Sequence, residues 1–310
     1  MNILHRSRRG FRSASLLLTA ALVAASPVIF AQAPQGGARQ TWADQQRGQA
    51  WATEKLAHSP RQSDWVTISH AGRSLKGWVD YPAVKGKVPV VLVLHEVFGL
   101  TDSTRNTADE IAAMGYVVIT PDMLSGFGPG GGDTSSFPSS RDASETVTSL
   151  EDKVVDATLD AWADYARKLP QSNGKLAIVG LSWGGGAAFR YATTTRKDLK
   201  MVAVFYDVGP PTITQGPHRD KATGLFPVKD IRIPVYGFYG SKDSRVMASL
   251  QATKDAMTGA HKMYDPVVYE GADHAFMRVG EDPAHPDAAN QAAVTASLER
   301  LQSVLEKTLR

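Results

Sequence analysis

Gly180-Leu181-Ser182-Trp183-Gly184, continued by Gly185 and Gly186, is the stretch on which the fold is decided. It follows directly on the apolar run Lys175 to Val179 and leads directly into a helical pattern from Gly184 to about Thr195. A serine between glycines, at a turn from strand to helix, is the context of a nucleophile elbow. Side chains at positions 180 and 184 would collide with neighbouring backbone in so sharp a turn. The serine hydroxyl then projects at the carboxyl end of a sheet, where a helix N-terminus favours developing negative charge.

Outward from that turn, apolar runs and helical patterns alternate. Val88 to Leu94 is almost continuously apolar, as expected of a strand buried on both faces. A helix is predicted over 103–114, closed by Gly115, and a strand over Tyr116 to Thr120. Further helices are predicted over 149–169, 246–258 and 287–309. Further strands are predicted at Met201–Tyr206, Ile233–Phe238 and Tyr264–Tyr269. Segments 64–70 and 75–81 read as an opening antiparallel hairpin turned at Ala71-Gly72-Arg73. This order predicts an α/β fold with a mostly parallel sheet covered by helices on both faces. Residues 125–145 are rich in Gly, Ser and Pro and read as a long surface loop near the site, with Gly128–Gly132 as a flexible lid.

The N-terminal segment is different in kind. Residues 1–33 hold Arg6, Arg8, Arg9 and Arg12, no acidic residue, an apolar run from Ala14 to Ile29, and Ala31-Gln32-Ala33. That is the pattern of a signal peptide. The apolar run is short against the roughly 20 residues of a spanning helix. Ser7-Arg8-Arg9-Gly10-Phe11 partly matches a twin-arginine signal. The expectation is an exported protein, periplasmic or secreted, with export machinery as a partner. Residues 34–63 read as a linker with a short helix that includes Trp51, and 64–310 as the catalytic domain. The formal charge of +3 falls to −1 without the four leader arginines (3 − 4), so nucleic acid is not an expected partner. Cysteine is absent, which excludes thiol nucleophiles and disulfides. No metal-ligand spacing and no phosphate-cradling loop occur, and no cofactor is expected.

A serine hydroxyl needs a base, and the base an orienting acid. In elbow proteins the order is Ser, acid, His. His274 follows the last predicted strand and is the expected base; His58, His70, His95, His218, His261 and His285 are less well placed, His95 because it ends an earlier strand. Asp243, after the strand ending at Phe238, is the expected acid, with Asp207 and Asp122 as rivals. Asp273 reads as a loop residue, since adjacent side chains do not normally meet. Two backbone N–H groups are needed for an oxyanion; Trp183 and Val97 are the expected donors.

His95-Glu96-Val97-Phe98-Gly99-Leu100, Thr120-Pro121-Asp122, Ser172-Asn173-Gly174-Lys175, Gly180-x-x-Trp183-Gly184-Gly185 and Gly271-Ala272-Asp273-His274-Ala275-Phe276 together resemble the dienelactone hydrolase family over residues 64–305. The resemblance implies an α/β-hydrolase fold, a triad of Ser182, Asp243 and His274, and a small ester or lactone as substrate. It implies that Glu96 contacts the resting nucleophile and that Arg278 helps bind a substrate carboxylate; a second family arginine aligns, weakly, with Arg141. Ser182 departs from the family's best-known members, which carry cysteine there. A carboxylate alone scarcely deprotonates serine, so His274 is the expected base. The expected chemistry is ester or lactone hydrolysis through an acyl-serine. Acyl transfer on the same triad is the alternative enzyme, and a non-catalytic binding protein the alternative class.

Overall fold

The fold is described from a computed structural model covering residues 49–207 and 227–310. The expected signal peptide, the first part of the linker and His218 lie outside the described residues. Eight strands form one sheet in the order β1-β2-β4-β3-β5-β6-β7-β8. They are β1 Ser63–His70, β2 Arg73–Asp80, β3 Val88–Leu94, β4 Val117–Pro121, β5 Ser172–Leu181, β6 Leu199–Phe205, β7 Val235–Gly240 and β8 Tyr264–Tyr269. β1, β2 and β4 pair antiparallel in turn, and all other neighbours are parallel. This is the α/β-hydrolase arrangement that the sequence predicts. The opening hairpin closes through Ala71 and Gly72, both at positive φ, with Arg73 already paired to His70.

The apolar run of β3 shows why the sheet needs two covers. Val90, Leu92 and Leu94 join one core with Trp162 and Leu159 of helix α4 (Asp152–Lys168) and Phe189 of α5 (Trp183–Tyr191). Val91 and Val93 face the other way, against Ala108 and Ile111 of α2 (Asp102–Ala113) and Leu301 and Leu305 of α8 (Ala288–Leu309). Each of these side chains is essentially inaccessible, so truncating Leu92 to Ala costs about 2–5 kcal/mol. α6 (Ser244–Gly259) and a short α7 (Phe276–Val279) complete the C-terminal half. Among the described residues no helix is long and apolar enough to cross a membrane.

Two segments differ from expectation. The predicted flexible loop at 125–145 is largely structured. The Asp122 carboxylate accepts from Thr134 N–H (2.9 Å), Thr134 Oγ1 (2.6 Å) and Leu124 N–H (3.0 Å), and Gly128 bridges to Gly132. Ser139 then caps α3 (Ser140–Ser149), its hydroxyl accepting from Asp142 N–H and donating to the Asp142 carboxylate. In the second, N-terminal to Asp64, the expected short helix that includes Trp51 is present, but it belongs to the packed fold and not to a linker. Helix α1 (Ala50–Ala57) buries Ala52 and is fastened to α2: Gln49 Oε1 accepts from Ser103 N–H, and Thr53 donates to Asp102. Arg61 and Ser59 both bond Asp109. Packed structure therefore reaches back to Gln49.

Candidate active site

Ser182 sits between β5 and α5 with φ 51° and ψ −120°, a conformation that L-residues avoid. The flanking glycines are obligatory. A Cβ on Gly180 would stand 2.1 Å from the Gly184 carbonyl oxygen, and one on Gly184 would stand 2.5 Å from that of Leu94. The collision expected from the sequence is thus real at both positions. The strained turn lifts the hydroxyl to the C-terminal edge of the parallel strands.

Two other strand ends complete the constellation. Asp243 follows β7 and caps α6, its Oδ1 accepting from Val246 N–H at 3.2 Å. His274 follows β8, in a loop pinned to α8 where Asp273 and Asn290 bond each other twice (2.8 and 2.9 Å). His274 Nδ1 lies 2.5 Å from Asp243 Oδ2, and its Nε2 lies 3.0 Å from Ser182 Oγ. An ionised carboxylate only accepts, so Nδ1 carries the hydrogen and Nε2 is left to accept from the serine. Burial alone would raise the Asp243 carboxyl, but the hydrogen bonds from His274 and Val246 outweigh it and hold the group below its usual range. Asp243 is thus ionised at neutral pH beside a half-exposed imidazole. The geometry can pass a proton from Ser182 to His274 and stabilise the imidazolium that results.

The rivals to Asp243 are engaged elsewhere. Asp207 pairs with Arg245 at 3.0 Å, and Asp122 is buried in the Thr134 turn, its carboxyl pushed up to about 6 by burial. Trp183 follows the serine directly, and Val97 lies in the turn after β3, whose Leu94 and His95 carbonyls approach Gly184. Neither N–H has a hydrogen-bond partner among the described residues. Trp183 opens α5, where the first N–H groups have no acceptor within the helix.

Glu96 and Arg278 are brought together, as a pair. Arg278 Nε donates to Glu96 Oε2 at 2.9 Å, and Arg278 also lies over the Phe98 ring. The expected contact of Glu96 with the nucleophile is not what is seen: the partner of Ser182 is His274, and that of Glu96 is Arg278. The reason is electrostatic, since a buried carboxylate beside a guanidinium is better served by it than by a neutral hydroxyl. Arg141 is not part of the constellation. It stands on the exposed face of α3, paired with Glu145 four residues on at 2.6 Å. The Ser139 cap turns its segment into a helix and presents Arg141 to solvent.

One further residue of the site carries no signal in the sequence. Tyr206, just after β6, is fully buried with φ 39° and packs edge-on against the His274 ring, centroids 5.3 Å apart. Burial, and then the charge of Glu96, raise its phenol well above the ordinary value. Positive φ at a tyrosine leaves no mark in sequence.

Comparisons with known proteins bear on the family and the fold. The family model described as the dienelactone hydrolase family matches residues 75–309. Carboxymethylenebutenolidase 1 of Cupriavidus pinatubonensis is 28% identical over 243 residues, covering 77% of this chain and 96% of its own. A Salmonella typhimurium relative is 31% identical over 216 residues, 68% of this chain and 76% of its own. Among solved structures, a dienelactone hydrolase-like promiscuous phosphotriesterase from metagenomic libraries superposes with a TM-score of 0.65 at 19% identity, over 81% of this chain and 99% of its own. The dienelactone hydrolase of Anabaena variabilis does so at 0.56 and 18%, over 82% and 100%. The last two likenesses speak for the fold; the family match speaks for more, and the chain belongs to the dienelactone hydrolase family of carboxylic ester hydrolases.

Proposed function

We propose that the chain hydrolyses a small carboxylic ester or lactone through an acyl-serine intermediate. Ser182 Oγ attacks the carbonyl carbon while His274 Nε2 takes its proton. The oxyanion is met by the N–H groups of Val97 and Trp183. As the tetrahedral intermediate collapses, His274 returns the proton to the leaving alcohol; in a lactone that alcohol stays attached to the acyl group. Water then attacks the acyl-serine with His274 again as base, and Ser182 is regenerated. Asp243 holds the imidazole in the tautomer needed and stabilises its cation.

The observation that carries this reading is the line from Ser182 Oγ through His274 to Asp243, at 3.0 and 2.5 Å. A serine departs from the family's best-known nucleophile, and the geometry supports a conventional base for it. Glu96, paired with Arg278, serves to hold that guanidinium toward the site, where it meets a carboxylate on the acyl part of the substrate. The basic, apolar and small-residue pattern of residues 1–33 supports an exported enzyme, periplasmic or secreted. Cell fractionation of the full chain tests that part.

The chemistry is tested with a panel of p-nitrophenyl esters and simple lactones, given to wild type and to Ser182→Ala. Hydrolysis by wild type and its loss in the variant is the expected result. A wild type that cleaves none, or a variant that cleaves as fast, contradicts the reading.

A further inference from the structure

The peptide that offers the Val97 N–H also carries the Glu96 carbonyl. A trans peptide is planar, and its C=O and N–H point in opposite directions, so fixing one aims the other. His95 holds that carbonyl: its Nδ1 lies 2.7 Å from Glu96 O. The second holder, Gly99 N–H, is longer at 3.3 Å. On its other side, His95 Nε2 faces Met123 N–H at 3.1 Å. A main-chain N–H only donates, so Nε2 accepts and Nδ1 carries the hydrogen. The ring has no accessible surface, and burial pushes its pKa down to about 4, so it stays neutral at working pH.

The ring is fixed in its own turn. It stacks on the Trp183 indole, centroids 5.8 Å apart and planes 18° from parallel, and Trp183 contributes the other N–H to the oxyanion. Met123 follows Asp122, whose carboxylate bonds Leu124 N–H and Thr134. Thr134 Oγ1 accepts from Leu100 N–H at 3.1 Å, at the far end of the same loop. Both ends of the segment 95–100 are therefore tied to the turn after β4, and His95 is the tie nearest the reacting carbonyl.

We propose that His95 is a positioning residue, whose Nδ1–H holds the Glu96–Val97 peptide so that the Val97 N–H is aimed at the oxyanion before substrate arrives. This rests on the serine-hydrolase reading above. It separates two donors that sequence treats alike: Trp183 N–H is set by the helix, whereas Val97 N–H is set by a side chain.

The test is steady-state hydrolysis of p-nitrophenyl butyrate by wild type, His95→Leu, His95→Asn and His95→Gln, with thermal melts of each. His95→Leu removes the donor and is expected to lower kcat about 100-fold while KM moves less than about threefold, the signature of one lost oxyanion donor. Asparagine places an amide N–H where Nδ1–H stands and is expected to recover at least about tenfold of that loss. Glutamine reaches only the Nε2 position and is expected to recover little. Should His95→Leu keep kcat within about threefold of wild type, or asparagine do no better than glutamine, the proposal is overturned. Where the variants do not fold, nitrogen-15 spectra of the histidines in the wild-type enzyme decide. A buried ring protonated at Nδ1 and bare at Nε2 is expected, and the opposite tautomer overturns the proposal. Failure of the wild type to cleave any ester is a separate result, and it falls on the hydrolase reading instead.

Discussion

Two histidines stand at strand ends on either side of Ser182, and their surroundings are opposite. His274 is half exposed, and its ring nitrogens touch two side chains, one a hydroxyl and one a carboxylate. His95 is sealed, and its ring nitrogens touch two backbone groups, one a carbonyl and one an N–H. Side-chain partners can exchange a proton and change charge; backbone partners cannot. The role of a histidine follows from what its two nitrogens meet, not from its place at a strand end.

The largest effect is expected on the proton-moving side. In the proposed mechanism His274→Gln is expected to lower kcat about 10⁵–10⁶-fold, read by ester hydrolysis, and far more than any substitution at His95. Equal losses at the two positions would erase the distinction. Asp243→Asn comes next, at about 10⁴-fold in kcat, because an amide that donates to Nδ1 selects the wrong tautomer. Titrating that variant's kcat/KM sharpens the point, since the wild-type carboxylate stays ionised well into acid.

A smaller effect lies where the His274 loop runs on to Glu281. Glu281 accepts from Lys55 Nζ (2.7 Å) and Asn106 (2.8 Å), and Glu110 lies beside it. Burial, and then the charge of Glu281, push the Glu110 carboxyl up to about 9 against an ordinary 4.5, with Lys55 opposing. Between those values the folded chain holds a proton that the unfolded chain lacks. Stability from this group is complete below about pH 4.5 and is lost as pH rises through about 9. Glu110→Gln removes the titration, so its melting temperature relative to wild type is expected to rise between pH 5 and 9; a difference independent of pH would contradict this. The smallest effect is expected at Arg141→Ala. Arg141 forms an exposed pair with Glu145, so kcat/KM stays within about twofold and the melting temperature stays that of wild type.

Much of this was legible in sequence, and for physical reasons. Strands buried on both faces leave apolar runs, so β3 and the β5–α5 elbow were readable from Val88 to Leu94 and from Lys175 to Gly186. Ser182, Asp243 and His274 were readable because each follows a strand, which aims it at one edge. What escaped depends on contacts distant in sequence. The segment 125–145 reads as a surface loop, with Gly128–Gly132 as a lid, because its order comes from Asp122 reaching Thr134, although Ser139 and Asp142 carry the spacing of a helix cap. The same cap carries Arg141 to the exposed face of α3, away from the site that the resemblance implies for it. Glu96 and Arg278 were named through family resemblance, but their pairing across 182 residues was not foreseen. His95 and Tyr206 owe their places to ring packing and backbone geometry, which composition and periodicity do not record.

The central claim is that an acyl group passes through Ser182. Rapid acid quench of wild type with an ester of a good leaving group and a slowly hydrolysed acyl group, followed by peptide mass mapping, measures it directly. The account predicts the acyl mass on the peptide that holds Ser182, and none in Ser182→Ala. Acylation at another residue, or undiminished turnover without Ser182, would contradict it.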